Sequence, residues 1–143
     1  MKICLNTSTI KPVPLLEKIR LVGETGYAGI ELWLNDVWEF VARGGEVSEI
    51  SRALDDHGLI VPSVIAMRQW GDFEGWEHQL VLDEARRRFA LGARLGAPFI
   101  VATPPLENPE TSHLAARYKE LLEIGREEGI KPTFEYILSL IHI

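Results

Sequence analysis

The chain is poor in cysteine, in positive charge and in long apolar runs. Its 143 residues include one cysteine, Cys4. That excludes an internal disulfide framework and fits a reducing compartment. Fifteen Lys and Arg stand against 21 Asp and Glu, for a net charge of −6. This balance argues against nucleic acid as a partner, because such binding rests on neutralising phosphates with basic side chains. No apolar run approaches the roughly 18 residues that span a bilayer, so no membrane partner is expected. The opening Met1-Lys2-Ile3-Cys4-Leu5-Asn6 turns polar too early for a signal peptide. A cytoplasmic location is the expectation these absences share. The four histidines show no H-x-x-H or H-E-x-x-H spacing.

What is present is a recurring unit: an amphipathic stretch, a glycine, then a short apolar run. Gly26, Gly58, Gly96 and Gly129 precede the runs at residues 28–33, 59–65, 97–102 and 130–136. Glycine ends helices because it takes the left-handed conformation without a Cβ penalty, and the apolar runs then read as strands. Between them, Leu15, Ile19 and Val22 share a helical face, as do Val47, Ile50 and Leu54. Leu82, Ala85, Phe89 and Ala93 form a third stripe, and Leu114, Tyr118, Leu121 and Gly125 a fourth. Pro12 and Pro14 suit a helix entrance, as does Pro109. With residues 3–6 as the opening strand, the spacing predicts an α/β fold of about five parallel strands and four helices. Pro62 weakens the third strand, since proline removes a ladder donor.

Strand alternation separates a doubly wound sheet from part of a (β/α)8 TIM barrel. Cys4 and Asn6 share one side, Glu31 and Trp33 another such side, and Thr133 and Glu135 a third. A small, polar and acidic face backed by a hydrophobic one suits a barrel lumen, whereas a doubly wound sheet is apolar on both faces. No G-x-G-x-x-G follows the first strand. A full barrel typically needs about 250 residues, so residues 1–137 are expected to be the N-terminal part of one. Residues 138–143 back-translate to a string that resembles the end sequence of transposases used to prepare sequencing libraries, and are expected to be a translated adaptor. An unclosed five-stranded sheet would have open edges and an exposed lumen face, which predicts aggregation or homo-oligomer formation.

The ordered set Ile3-Cys4-Leu5-Asn6-Thr7, Gly26-Tyr27-Ala28-Gly29-Ile30-Glu31-Leu32-Trp33, Leu95-Gly96-Ala97-Pro98-Phe99-Ile100-Val101 and Phe134-Glu135 resembles the xylose isomerase-like barrel superfamily. That group includes sugar phosphate isomerases and epimerases and the apurinic endonucleases. The resemblance implies a divalent metal (Mn, Mg, Co or Zn) at the C-terminal mouth, bound in part by a glutamate ending the fifth strand. Here that position is Glu135, and the family's remaining ligands come from strands six to eight. It implies a metal-dependent isomerase or epimerase whose partner is a small-molecule sugar or sugar phosphate. The alternatives are an apurinic endonuclease-like DNA repair hydrolase and a non-catalytic sugar-binding barrel. The endonuclease would need histidines at early strand ends, and the fourth strand runs instead into Ala102-Thr103-Pro104-Pro105.

The residues can be weighed beside the resemblance. A carboxylate at position 135, inward-facing behind an apolar strand, needs a cation or strong hydrogen bonds. In this chemistry a metal polarises the substrate carbonyl while carboxylates move the adjacent proton, so Glu135 is the candidate for both roles. Glu31 is a candidate for orienting a substrate hydroxyl or a metal-bound water, or simply bonds its barrel neighbours. Trp33 packs against a sugar face or belongs to the core. Asn6 hydrogen-bonds a substrate hydroxyl or caps a loop. Trp70, in the aromatic segment 67–76 after the third strand, is expected in a wall over a ligand or as a cover for the barrel end. Arg68 meets a phosphate or carboxylate, or forms a surface salt bridge. Arg86-Arg87-Arg88, with Asp83 and Glu84 beside it, reads as a solvated face.

Overall fold

A computed structural model describes residues 1–105 and 110–135. The expected halt near Ile137, the tail 138–143 and Pro109 lie outside the described residues. Five strands form one sheet: β1 (Cys4–Asn6), β2 (Gly29–Trp33), β3 (Val64–Met67), β4 (Phe99–Ala102) and β5 (Lys131–Phe134). Their spatial order equals their chain order and every pairing is parallel. Each strand therefore pairs with its sequence neighbour through a helical connection, the arrangement of a (β/α) barrel. Among the described residues the sheet is unclosed, with β1 and β5 at its edges.

Among the described residues five helices, rather than four, connect the strands: α1 (Leu15–Glu24), α2 (Leu34–Ala42), α3 (Val47–Asp56), α4 (Gly75–Arg94) and α5 (Thr111–Glu128). A 3-10 turn over Thr7–Ile10 follows β1. Pro14 caps α1, a position whose missing N–H costs the helix nothing. Gly129 caps α5 with φ +74°, where any other L-residue would be strained. Gly125 serves a different need. A Cβ there would lie 2.5 Å from the Ile130 carbonyl oxygen, so only glycine lets α5 press this closely on the entry to β5.

The core lies between the sheet and the helices. Leu15, Ile19 and Val22 of α1, Ile50 and Leu54 of α3, Leu82, Ala85 and Phe89 of α4, and Leu121 of α5 are buried against one sheet face. The strands alternate to match. Ile30 and Leu32 are fully buried, as are Ile100 and Ala102, while Glu31, Trp33 and Val101 on the other face are half-buried. Among the described residues that second face carries no helix, and Ile60 and Phe99 are 39% and 40% exposed there. No helix among the described residues is long and apolar enough to cross a membrane.

Two polar devices tie the outer layer together. Lys18 of α1, 1% exposed, places its Nζ 2.6 Å from Asp36 Oδ2 of α2. Burying that ammonium is tolerable only with its partner in place. The basic run on α4 divides: Arg86 and Arg87 are exposed beside Asp83 and Glu84, but Arg88 turns inward. Its guanidinium donates to the Ala66 carbonyl (3.0 Å), to Asn35 Oδ1 and to Glu84, and lies 4.2 Å from the Trp38 ring centre. Arg88 is thus a clamp joining α4 to α2 and β3 rather than part of a solvated face.

The third strand departs from the expected 59–65. Ile60 bridges Gly29, and the regular ladder resumes with Val64 opposite Leu32. One more residue is consumed on this strand than on β2, so the chain bulges over 61–63. Pro62, with no N–H to donate, falls inside the interruption.

Candidate functional site

The site is built where the strands end. Asn6 and Glu31 are paired in register on β1 and β2. Parallel pairing places both side chains on the face away from the helices, and Asn6 Nδ2 donates to Glu31 Oε2. The second carboxylate oxygen, Oε1, accepts from Ser63 Oγ. Ser63 stands in the bulge before β3, and a bulge re-aims a side chain in this way. The Asn6 amide oxygen accepts from the Trp33 indole Nε1 at 3.3 Å and from the Ser8 backbone N–H at 2.8 Å. Trp33 in turn donates its backbone N–H to Thr7 Oγ1 at 3.1 Å. Three strands and the first turn therefore lock one another through a single network.

Chemically, this network is a fixed acceptor and donor array. Both Glu31 oxygens are held by neutral donors, which stabilise the carboxylate without a counter-cation. Glu31 is thereby positioned rather than free to swing. Asn6 uses its amide in the orientation that its three partners dictate. The indole of Trp33, held at its N–H edge, leaves ring surface for cations: Lys11 Nζ lies 4.9 Å and Arg68 Cζ 5.3 Å from its centre.

The opposite side of the rim is sparser. Thr133 Oγ1 donates to the Ile100 carbonyl at 3.3 Å. The Glu135 backbone N–H donates to the Ala102 carbonyl at 3.0 Å, which fixes the chain just past β5. The Glu135 side chain is half-buried, and among the described residues its carboxylate has no hydrogen-bond or ion-pair partner. By alternation it shares a face with Thr133, the face that carries Glu31 and Asn6.

Five of the six residues expected at the mouth, Asn6, Glu31, Trp33, Arg68 and Glu135, stand at strand ends or just beyond them. The structure does not bring Trp70 there. Its ring is 1% exposed and packs edge-on against Tyr118 of α5 and Phe134 of β5, with centroids 5.7 and 6.0 Å apart. Its indole Nε1 donates to the Thr103 carbonyl at 2.6 Å. Trp70 therefore turns into the layer between sheet and helix, because that layer offers both aromatic edges and a carbonyl acceptor. Ser63, Thr7 and Lys11 were not legible as site residues. The one available signal was a serine after Pro62 in an otherwise apolar run.

A metal is the group the resemblance implies. The described residues contain no group of three or more His, Cys, Asp or Glu placed to hold an ion. Glu135 fits one ligand position, as a strand-end carboxylate with its acceptors unspent, but the residues at hand do not make a complete donor set. The three described histidines stand apart from the strand ends: His57 caps α3, and His78 and His113 lie in the first turns of α4 and α5. His78 is buried and its Nε2 lies 2.8 Å from Glu120 Oε2, linking the two helices.

Known proteins share this architecture. An IolI protein with a bound zinc atom superposes with a TM-score of 0.83 at 19% identity, over 96% of this chain and 52% of its own. A 3-keto-D-glucoside 4-epimerase from E. coli gives 0.74 at 21% identity, over 96% and 56%. A D-psicose 3-epimerase gives 0.73 at 15% identity, over 96% and 53%. The chain thus spans about half the length of each. No curated protein matches it significantly. The model of one family, the xylose isomerase-like TIM barrel, matches residues 19–139. With strand order, helix placement and that match in agreement, the chain belongs to the xylose isomerase-like TIM barrel family.

Proposed function

We propose that the protein is a divalent-metal-dependent isomerase or epimerase acting on a sugar or sugar phosphate. The observation that carries this reading is the Glu135 carboxylate. It sits at the end of β5, on the face of Glu31 and Asn6, with no partner among the described residues. A strand-end carboxylate whose oxygens take no partner among the described residues is free to ligate a cation. In this reading Glu135 is one metal ligand, with the other donors supplied from beyond the residues described. Bound there, the metal would polarise a substrate carbonyl. Oxygen-rich ligation favours a hard ion such as Mn²⁺ or Mg²⁺, although a zinc-bound IolI protein shares the fold.

Within the chain, the Asn6–Glu31–Ser63 network orients substrate hydroxyls. Glu31 accepts from them and Asn6 is set by its neighbours. Trp33 offers an apolar ring to the C–H face of the sugar. Glu135, besides holding the ion, is placed to exchange the proton on the carbon next to the carbonyl.

The test is a manganese titration of the protein expressed from its complete reading frame, followed by calorimetry, beside the Glu135→Gln variant. Stoichiometric uptake by the parent, at least tenfold weakened in the variant, together with loss of ketose–aldose or epimer interconversion, is the expected result. Equal uptake and equal turnover in both proteins would overturn the reading.

A further inference from the structure

Trp33 is approached by two cations that arrive on different loops. Lys11 closes the 3-10 turn after β1, and Arg68 follows β3 directly. Both are exposed, and both charged groups lie within 5.3 Å of the same indole centre. Neither has a carboxylate partner among the described residues. The backbone also invests in this placement. Gln69, next to Arg68, takes φ +60°, a left-handed conformation that strains a non-glycine residue. That turn sends the chain away after Arg68, toward the buried Trp70.

One cation over a tryptophan is an ordinary surface pairing. Two on one ring, unneutralised, concentrate positive charge in a chain whose net charge is −6. They do so beside the polar network that fixes Asn6 and Glu31. A guanidinium and an ammonium group drawn to one indole are the donors that an oxyanion recruits, the former in a fork and the latter as a point charge.

We propose that Lys11 and Arg68 form an oxyanion subsite at the edge of the sugar site, taking the phosphate of a sugar phosphate while Trp33 underlies the ring. The proposal rests on the sugar-site reading above and names the charged member of that substrate class. The phosphate would lie between the two cations, at the outer end of a sugar whose hydroxyls point toward Asn6 and Glu31.

The test uses the protein from its complete reading frame and four probes in calorimetric titration: D-fructose, D-fructose 6-phosphate, D-glucuronate and inorganic phosphate. The variants are the pair Lys11→Gln with Arg68→Gln, and the charge-preserving pair Lys11→Arg with Arg68→Lys. Both positions are exposed and outside the hydrogen-bond network, and a thermal melt checks that each variant folds. The expected result is that the parent binds the phosphorylated sugar at least tenfold tighter than fructose, that the glutamine pair loses this advantage, and that the charge-preserving pair keeps most of it. The same advantage for glucuronate alone would assign the subsite to a carboxylate, which keeps the oxyanion site and replaces its ligand. Equal binding of fructose and its phosphate, or an advantage that survives in the glutamine pair, would overturn the subsite and leave the sugar reading standing. Inorganic phosphate bound through Lys11 and Arg68 with no sugar bound at all would sustain the subsite and overturn the sugar reading.

Discussion

At the β1–β3 side of the rim, polar side chains are matched to one another. Glu31 accepts from Asn6 and Ser63, and Asn6 accepts from Trp33 and the first turn. At the β4–β5 side, Thr133 bonds a backbone carbonyl and the Glu135 carboxylate meets nothing among the described residues. The network side stabilises the fold and holds its groups in one geometry. The sparse side stabilises little and keeps its carboxylate available. Positioning and reactivity make opposite demands on a polar group: a satisfied group is rigid, an unsatisfied one can bind something new.

Substitutions sharpen this contrast. The largest effect is expected just behind the sparse side, where Trp70→Ala removes a fully buried ring together with its bond to the Thr103 carbonyl. The loss should be about 3–5 kcal/mol by urea denaturation. On the network side, Glu31→Ala strands the Asn6 amide and the Ser63 hydroxyl and should cost about 1–3 kcal/mol. A double-mutant cycle with Asn6→Ala should return a coupling of about 0.5 kcal/mol or more. Strict additivity would mean that the network is not a unit.

A smaller effect follows pH. Burial raises the Tyr118 phenol above its usual value, with a backbone hydrogen bond from Phe134 partly opposing it. The unfolded chain therefore loses this proton first. Stability is fully present below the unfolded phenol value of about 10 and falls as pH rises past it. Tyr118→Phe should flatten that alkaline decline in thermal melts. An unchanged slope would assign it elsewhere. The smallest effect is expected at the functional carboxylate itself. Glu135→Gln should alter stability by less than about 0.5 kcal/mol, and a loss as large as that of Glu31→Ala would show that position 135 is structural.

The sequence made some of this legible and hid the rest for definite reasons. Strand faces could be read because alternation is local: Glu31 and Trp33 against Ile30 and Leu32, Thr133 and Glu135 against Phe134. Helix ends could be read because Gly26, Gly58, Gly96 and Gly129 punctuate the chain, and all four have positive φ. α2 was not legible. It starts at Leu34 directly after the strand residue Trp33, with no glycine or proline between them, so its apolar pattern merged with the strand before it. Ser63 and Lys11 were hidden because their partners lie 32 and 22 positions away. Trp70 followed a strand and was read toward the mouth, but its destination was decided by a carbonyl and two aromatic rings on distant elements. Arg88 looked like its two neighbours until helical phase turned it toward Trp38.

The bulge at 61–63 also sets the polarity of everything that follows it on β3. Ile60 and Ser63 stand three apart on one face, and Val61 and Val64 stand three apart on the other, so the count flips between them. Were the stretch regular at its present length, Ser63 would fall on the core face and Val64 on the other. The extra residue thus keeps chemistry and packing on their own sides of β3, and an in-frame loss of one residue there would remove the bulge without exchanging the two faces.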